Sequence, residues 1–152
     1  RREIEAVSIE IRRICEDLSP SVLENVGFAP ALEFLLAHTF KDYEFHAAED
    51  LEEMIHFSPN VQMQIYRVAQ EILSNIKHHS DAKFVSMKAE ISAEKEFFLT
   101  IEDDGDFFDP EKIVSKGRGI GNIKSRAALI EAEISWREKE SGGTVFQLKK
   151  SS

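Results

Sequence analysis

Glu71 and Asn75 lie one helical turn apart within Gln62–Asp81, a stretch whose apolar residues repeat at helical spacing. On a helical wheel they border the apolar arc and not the opposite, solvated side. A carboxylate and an amide at the edge of a buried face are costly without partners. A bound ligand would supply those partners; hydration at a helix rim is the plainer reading. Asp103-Asp104-Gly105-Asp106 follows directly on a run of strand-like apolar residues. A carboxylate there can project into a pocket, where it is a fitting acceptor for the exocyclic amino group of adenine. By itself the run also reads as an acidic surface turn. Gly117-Arg118-Gly119-Ile120-Gly121-Asn122 opens a helix. Glycines let backbone N–H groups approach a phosphate, and a helix N-terminus adds a favourable dipole. The run is neither a Walker A loop, since no Gly-Lys-Ser/Thr follows, nor a Rossmann fingerprint, since Asn122 replaces the third glycine and no strand precedes it.

The elements that must position these residues follow from the patterning. Ser58 is an expected N-cap and Pro59 an expected first residue for the helix through His79, with Val61, Ile65, Val68, Ala69, Ile72 and Ile76 as its apolar face. Lys83 to Ser92 and Glu96 to Glu102 alternate as strands, and Ser92-Ala93-Glu94-Lys95 joins them as a hairpin. Asp103 to Lys116 reads as a loop, Gly119 to Ile130 as a helix, and Glu133 to Lys139 and Thr144 to Lys149 as strands around Ser141-Gly142-Gly143. Upstream, Ile4, Val7, Ile11, Ile14 and Leu18 form a short heptad seam, stopped at Leu18-Ser19-Pro20. A connector runs from Ser21 to Phe28. Pro30 is expected to open a helix burying Leu32, Leu35, Leu36 and Phe40, before a strand over Tyr43 to Glu49 and an ambiguous acidic stretch over Asp50 to Phe57. Helices with a mixed or antiparallel sheet predict an α+β fold, a two-layer α/β sandwich, and the lack of regular βαβ alternation argues against a doubly wound one.

Composition sets the bounds. The 152 residues carry a formal net charge of −9, with no basic cluster to offset it, which argues against a nucleic-acid-binding surface. One cysteine, Cys15, rules out a disulfide framework and a cysteine metal site. No signal peptide or long apolar span is present, so no direct membrane contact is expected of this chain. It opens in charged helical sequence without an initiator Met, as expected of a piece of a longer protein.

Taken together, the motifs are far more specific than any one of them. Glu71-x-x-x-Asn75 on a helix, Asp103-x-Gly105 after a strand, Gly-x-Gly before a helix and Gly142-Gly143-Thr144 before a last strand occur in this order. This resembles the ATP-binding (Bergerat) domain shared by histidine kinases, gyrase, Hsp90 and MutL. Leu18-Ser19-Pro20, Leu23, Gly27-Phe28, Ala31-Leu32, Tyr66-Arg67-Val68-Ala69-Gln70-Glu71 and Gly117 to Ala127 resemble sensor histidine kinases of the nitrate-sensor and desaturase-sensor type. The resemblance implies a dimerisation-helix end over 1–19 and an ATP-binding catalytic domain over 20–150. It implies that Asn75 binds Mg²⁺ through its side-chain oxygen, a hard ligand for a hard cation, and that Glu71 is the catalytic residue, ordering the metal site or polarising the phosphoryl acceptor. Asp103 would accept from the adenine amino group, Gly105 would let the chain pass the base, and Thr144 would support the pocket. Gly117, Gly119, Ile120 and Gly121 would form the phosphate lid and the helix start beneath it. His79 matches a family histidine at the nucleotide.

Three departures from the family pattern stand out, one of them the replacement of the family's Gly-Gly pair around Glu131-Ala132. Phe107 occupies the place of a usual second glycine, and His78 that of a usual basic residue. Of the five histidines, His38, His46 and His56 lack the acidic residue and glutamine that accompany a phosphoacceptor, and His78 and His79 belong to the nucleotide helix. The acceptor is therefore expected upstream of Arg1. The implied activity is transfer of the γ-phosphoryl of Mg·ATP to that histidine for relay to a response regulator, in a cytoplasmic domain of a homodimer. The alternatives are a degenerate nucleotide-binding module and an anti-sigma-factor serine kinase of the same fold.

Overall fold

A computed structural model describes residues 23, 25–107, 109–111 and 118–152, without the Arg118 side chain. The expected heptad helix over 1–18, its stop at Pro20, and Gly117 lie outside the described residues. Helices α1 (Phe28–Thr39), α2 (Leu51–Met54), α3 (Pro59–His79) and α4 (Arg118–Leu129) accompany strands β1 (Asp42–Ala47), β2 (Phe84–Ile91), β3 (Glu96–Asp103), β4 (Glu133–Glu138) and β5 (Thr144–Ser151). The strands form one five-stranded sheet in the order β1-β2-β3-β5-β4. Only the β1–β2 pairing is parallel; the others are antiparallel. This is the expected α+β, two-layer arrangement with a mixed, largely antiparallel sheet.

Period-two alternation decides which side of the sheet is covered. Val85, Met87 and Ala89 of β2 and Phe97, Leu99 and Ile101 of β3 are buried against the helical layer. Glu44, Ser86, Lys88, Glu90, Thr100 and Glu102 face away from it and are partly or fully exposed. Phe84 is 41% exposed, because the strand period puts it on the outer face with Ser86 and Lys88. The β2–β3 hairpin closes as expected, with Lys95 at φ 61 and its N–H donating to the Ser92 carbonyl.

Helix α3 packs Ile65, Val68, Ala69, Leu73 and Ile76 into the core, and Ser58 caps it, its hydroxyl accepting from the Val61 N–H at 3.2 Å. Such a cap contributes about 1 kcal/mol. Helix α1 begins two residues before the expected Pro30. Phe28 is fully buried against Phe97, and the Ala29 N–H donates to Glu52 Oε1 at 2.7 Å. Glu52 comes from α2, the four-residue helix into which the ambiguous acidic stretch resolves. Pro30 sits in the first turn, where its missing N–H costs no helical bond.

Candidate functional site

One end of the sheet, under α3, gathers most of the residues singled out above. Ile72, Asn75 and Ile76 of α3 meet Ile101 and Asp103 of β3, Thr144 and Phe146 of β5, and Trp136 of β4 around a small cavity. Asp103 is 2% exposed. Its Oδ1 accepts from the Gly105 N–H at 2.8 Å, while its buried Oδ2 has no hydrogen-bond partner among the described residues. Burial pushes this carboxyl above the usual carboxylate range. The Gly105 N–H opposes that, the charge of Asp104 adds to it, and Lys139 offsets part of it. On the α3 side, Asn75 Nδ2 is also buried without a partner among the described residues. These two atoms belong to side chains lining the same cavity, one of them a carboxylate and the other an amide. Buried polar groups in folded proteins are almost always satisfied, so both ask for a ligand or water.

Two glycines hold Asp103 in place. Asp103 ends β3, and its carbonyl oxygen lies 2.0 Å from where a Cβ on Gly143 would stand, at φ +104. A Cβ on Gly105 would lie 2.0 Å from the Ser80 carbonyl. Close backbone approach thus demands glycine at both positions, and at Gly105 the approach is to the end of α3. Asp104 fixes the other side of the turn: its Oδ1 accepts from the Lys83 and Phe84 N–H groups at 2.8 and 3.0 Å.

Gly119 brings the start of α4 over the polar edge of α3. A Cβ there would lie 3.2 Å from Glu71 Oε2 and 3.3 Å from Asn75 Oδ1. Glu71, Asn75 and Gly119 therefore form one cluster beside the cavity. Further along, Arg126 ties α4 to α3, donating to Gln64 Oε1 at 2.9 Å. Ile120 packs on the core, and Gly121 is open, with nothing within 4 Å of where a Cβ would stand. His79 is exposed at the end of α3 and is not a cavity-lining residue. Phe107 is partly buried in the turn after Asp103. Sequence patterning does not mark Trp136, Phe146 or Ile101 as site residues, and it marks Gly143 only through the Gly142-Gly143-Thr144 motif. The inward alternation of Ile134 and Trp136 on β4 is the signal that puts the indole on the cavity side. Among the described residues no group of three or more His, Cys, Asp or Glu side chains could hold a metal ion.

Known proteins resemble the chain in sequence and in fold. The sequence profile of the "Histidine kinase-, DNA gyrase B-, and HSP90-like ATPase" family matches residues 60–151. The chain is 27% identical over 148 residues to the signal transduction histidine-protein kinase/phosphatase DegS of Brevibacillus brevis, covering 96% of the chain and 38% of that protein. It is 32% identical over 143 residues to the sensor histidine kinase ComP of Bacillus subtilis, covering 87% of the chain and 17% of ComP. The chain thus spans well under half the length of these two curated relatives. Among solved structures, the Acinetobacter baumannii histidine kinase AdeS superposes with a TM-score of 0.63 at 18% identity, over 94% of the chain and 79% of that structure.

Proposed function

The chain belongs to the histidine kinase-, DNA gyrase B- and HSP90-like ATPase family, and from that premise we propose that it is the ATP-binding catalytic part of a sensor histidine kinase. It would direct the γ-phosphoryl of Mg·ATP to a histidine outside this sequence, for relay to an aspartate of a response regulator. The observation that carries the reading is the pair of unsatisfied buried atoms, Asp103 Oδ2 and Asn75 Nδ2, on one cavity. Asp103 Oδ2 is a buried acceptor with an apolar surround of Ile72, Ile101 and Phe146, suited to the edge of a flat base bearing an amino group. The histidine-kinase names of the relatives support the same reading, and no observation favours the serine-kinase or degenerate alternative.

The donor set on α3 suits Mg²⁺. This ion takes one or two protein oxygens and leaves its other positions to phosphates and water. Asn75 would hold it through Oδ1, which exchanges places with Nδ2 by a flip of the amide. When bound, the ion neutralises phosphate charge. Glu71, beside Asn75, would orient the site or polarise the phosphoryl acceptor, and the glycines of α4 would leave backbone N–H groups open to phosphate. These contributions are positioning and charge stabilisation, as phosphoryl transfer requires. The same reading puts the domain in the cytoplasm, within a homodimer joined through residues 1–19. Among the described residues no helix is long and apolar enough to cross a membrane.

Calorimetry tests the reading. Mg·ATP and Mg·ADP should bind in preference to Mg·GTP, because guanine presents a carbonyl where adenine presents its amino group to Asp103. Equal affinity for GTP would remove the adenine assignment.

A further inference from the structure

The cavity beside Asp103 has a volume of ≈10 Å³, room for about one water and not for a purine. A base can enter only if a wall moves. Ile72, Ile76, Ile101, Thr144 and Phe146 are each at most 6% exposed and belong to the core between α3 and the inner strands. Displacing any of them opens that core. Asn75, the other partly buried lining residue, is fixed on α3 within the helical layer, whereas Trp136 differs on both counts. It is only partly buried, and it stands on β4, an edge strand whose one ladder is to β5. Its indole packs on Phe146, its partner in register, with ring centroids 5.2 Å apart and planes at 56°. A rotation of this side chain toward the open edge enlarges the cavity without breaking a sheet hydrogen bond. The flat indole then offers the entering base an aromatic surface, the kind of contact that tolerates any π face.

We propose that Trp136 is the movable wall of the base pocket, closing it when empty and packing against the base when nucleotide is bound. The proposal rests on the ATP-binding reading of the site. It gives the chain a closed majority form and an open minority form, and binding draws on the minority. A binding-competent form that is a minority lowers apparent affinity and association by its fraction.

Trp136 is the chain's one tryptophan, so emission reports it alone. The chain is titrated with Mg·ADP while tryptophan emission and heat are followed in parallel. Emission should change with the same midpoint as the heat. Association of a ribose-labelled fluorescent ADP is then timed for the native chain, Trp136→Phe and Trp136→Ala, each checked for fold by circular dichroism. Trp136→Ala should associate about tenfold faster or more, as removal of a closed form populated at roughly 90% would give. Trp136→Phe, the milder change, should be faster by a smaller factor and serves if the alanine variant does not fold. Heat without an emission change, or native association rates in the folded variants, overturns the movable wall and leaves the ATP-binding reading standing. Absence of heat with any adenine nucleotide overturns that reading, and this proposal with it.

Discussion

Asp103 and Asp104 are neighbours whose ionisation pulls stability in opposite directions. Burial raises the Asp103 carboxyl above its ordinary 3.8, so between that value and its folded value the folded chain binds more protons than the unfolded one. Stability therefore falls as pH rises through that window. Asp103→Asn removes the charge and keeps an acceptor for the Gly105 N–H, so at pH 7 it should melt no lower than the native chain. It also turns Oδ2 into a donor facing the adenine amino group. A hydrogen bond to a charged group contributes roughly 1.5–3 kcal/mol, so ATP, ADP and adenosine should all weaken about ten- to a hundredfold in calorimetry. The N–H groups of Phe84 and Lys83 lower the Asp104 carboxyl, so its contribution is present above 3.8 and is lost as pH falls through its folded value. Asp104→Asn should flatten the acid side of a melting-temperature profile and leave ADP affinity at pH 7 unchanged. Asn75→Ala should differ from both. It should spare adenosine, weaken Mg·ATP and nearly abolish transfer at saturating nucleotide, and a full Mg²⁺ enhancement of ATP binding in this variant would return Asn75 to the role of a helix-rim residue.

At the scale of elements, two glycines carry opposite expectations. Gly143 turns β4 into β5 at φ +104 against the Asp103 backbone. For Gly143→Ala the conformation alone costs about 1–3 kcal/mol, and the contact with the Asp103 carbonyl adds to it. A lowered melting temperature should come with weaker ADP binding, because the strand end that aims Asp103 has to shift. Gly121 lies in α4 with open space around it. Gly121→Ala should melt no lower, gaining up to about 1 kcal/mol of helix propensity. If its bareness serves the phosphates, ATP affinity should fall; a variant that binds ATP normally takes Gly121 out of the site. Much of this element layer is legible in the sequence. Ser58 and Pro59 mark the start of α3 by local chemistry, and alternation with a four-residue turn marks β2 and β3. Helix α2 is not legible, because four residues are too few to display a period. The cavity walls are not legible either: Trp136 and Phe146 read as strand residues of one hairpin, and only the long-range pairing of β5 with β3 and the packing of α3 make them neighbours of Asp103.

At the scale of the molecule, the proposed function separates the nucleotide site from the group that receives the phosphoryl. The isolated chain should acquire no acid-labile phosphate from labelled ATP, since none of its five histidines has an acceptor's sequence context. Mixed with a peptide carrying the phosphoacceptor helix that the proposed function requires, it should label that peptide. Acid-labile label on the chain alone would show that one of the five is an acceptor. The strand order carries a different consequence, for synthesis. β5 follows β4 in sequence, yet it lies between β3 and β4 and is the one ladder partner of β4 among the described residues. While the ribosome is still making residues 144–151, β3 has a bare inner edge and β4 has no strand to pair with. The sheet cannot be completed as the chain emerges; it closes in one late, long-range step, with Glu96 of β3 meeting Ser151. Pairings this distant form slowly and leave apolar strand edges open meanwhile. Nascent chains stalled before β5 should therefore be the protease-sensitive, chaperone-bound population, and emergence of β5 should be the moment at which resistance appears.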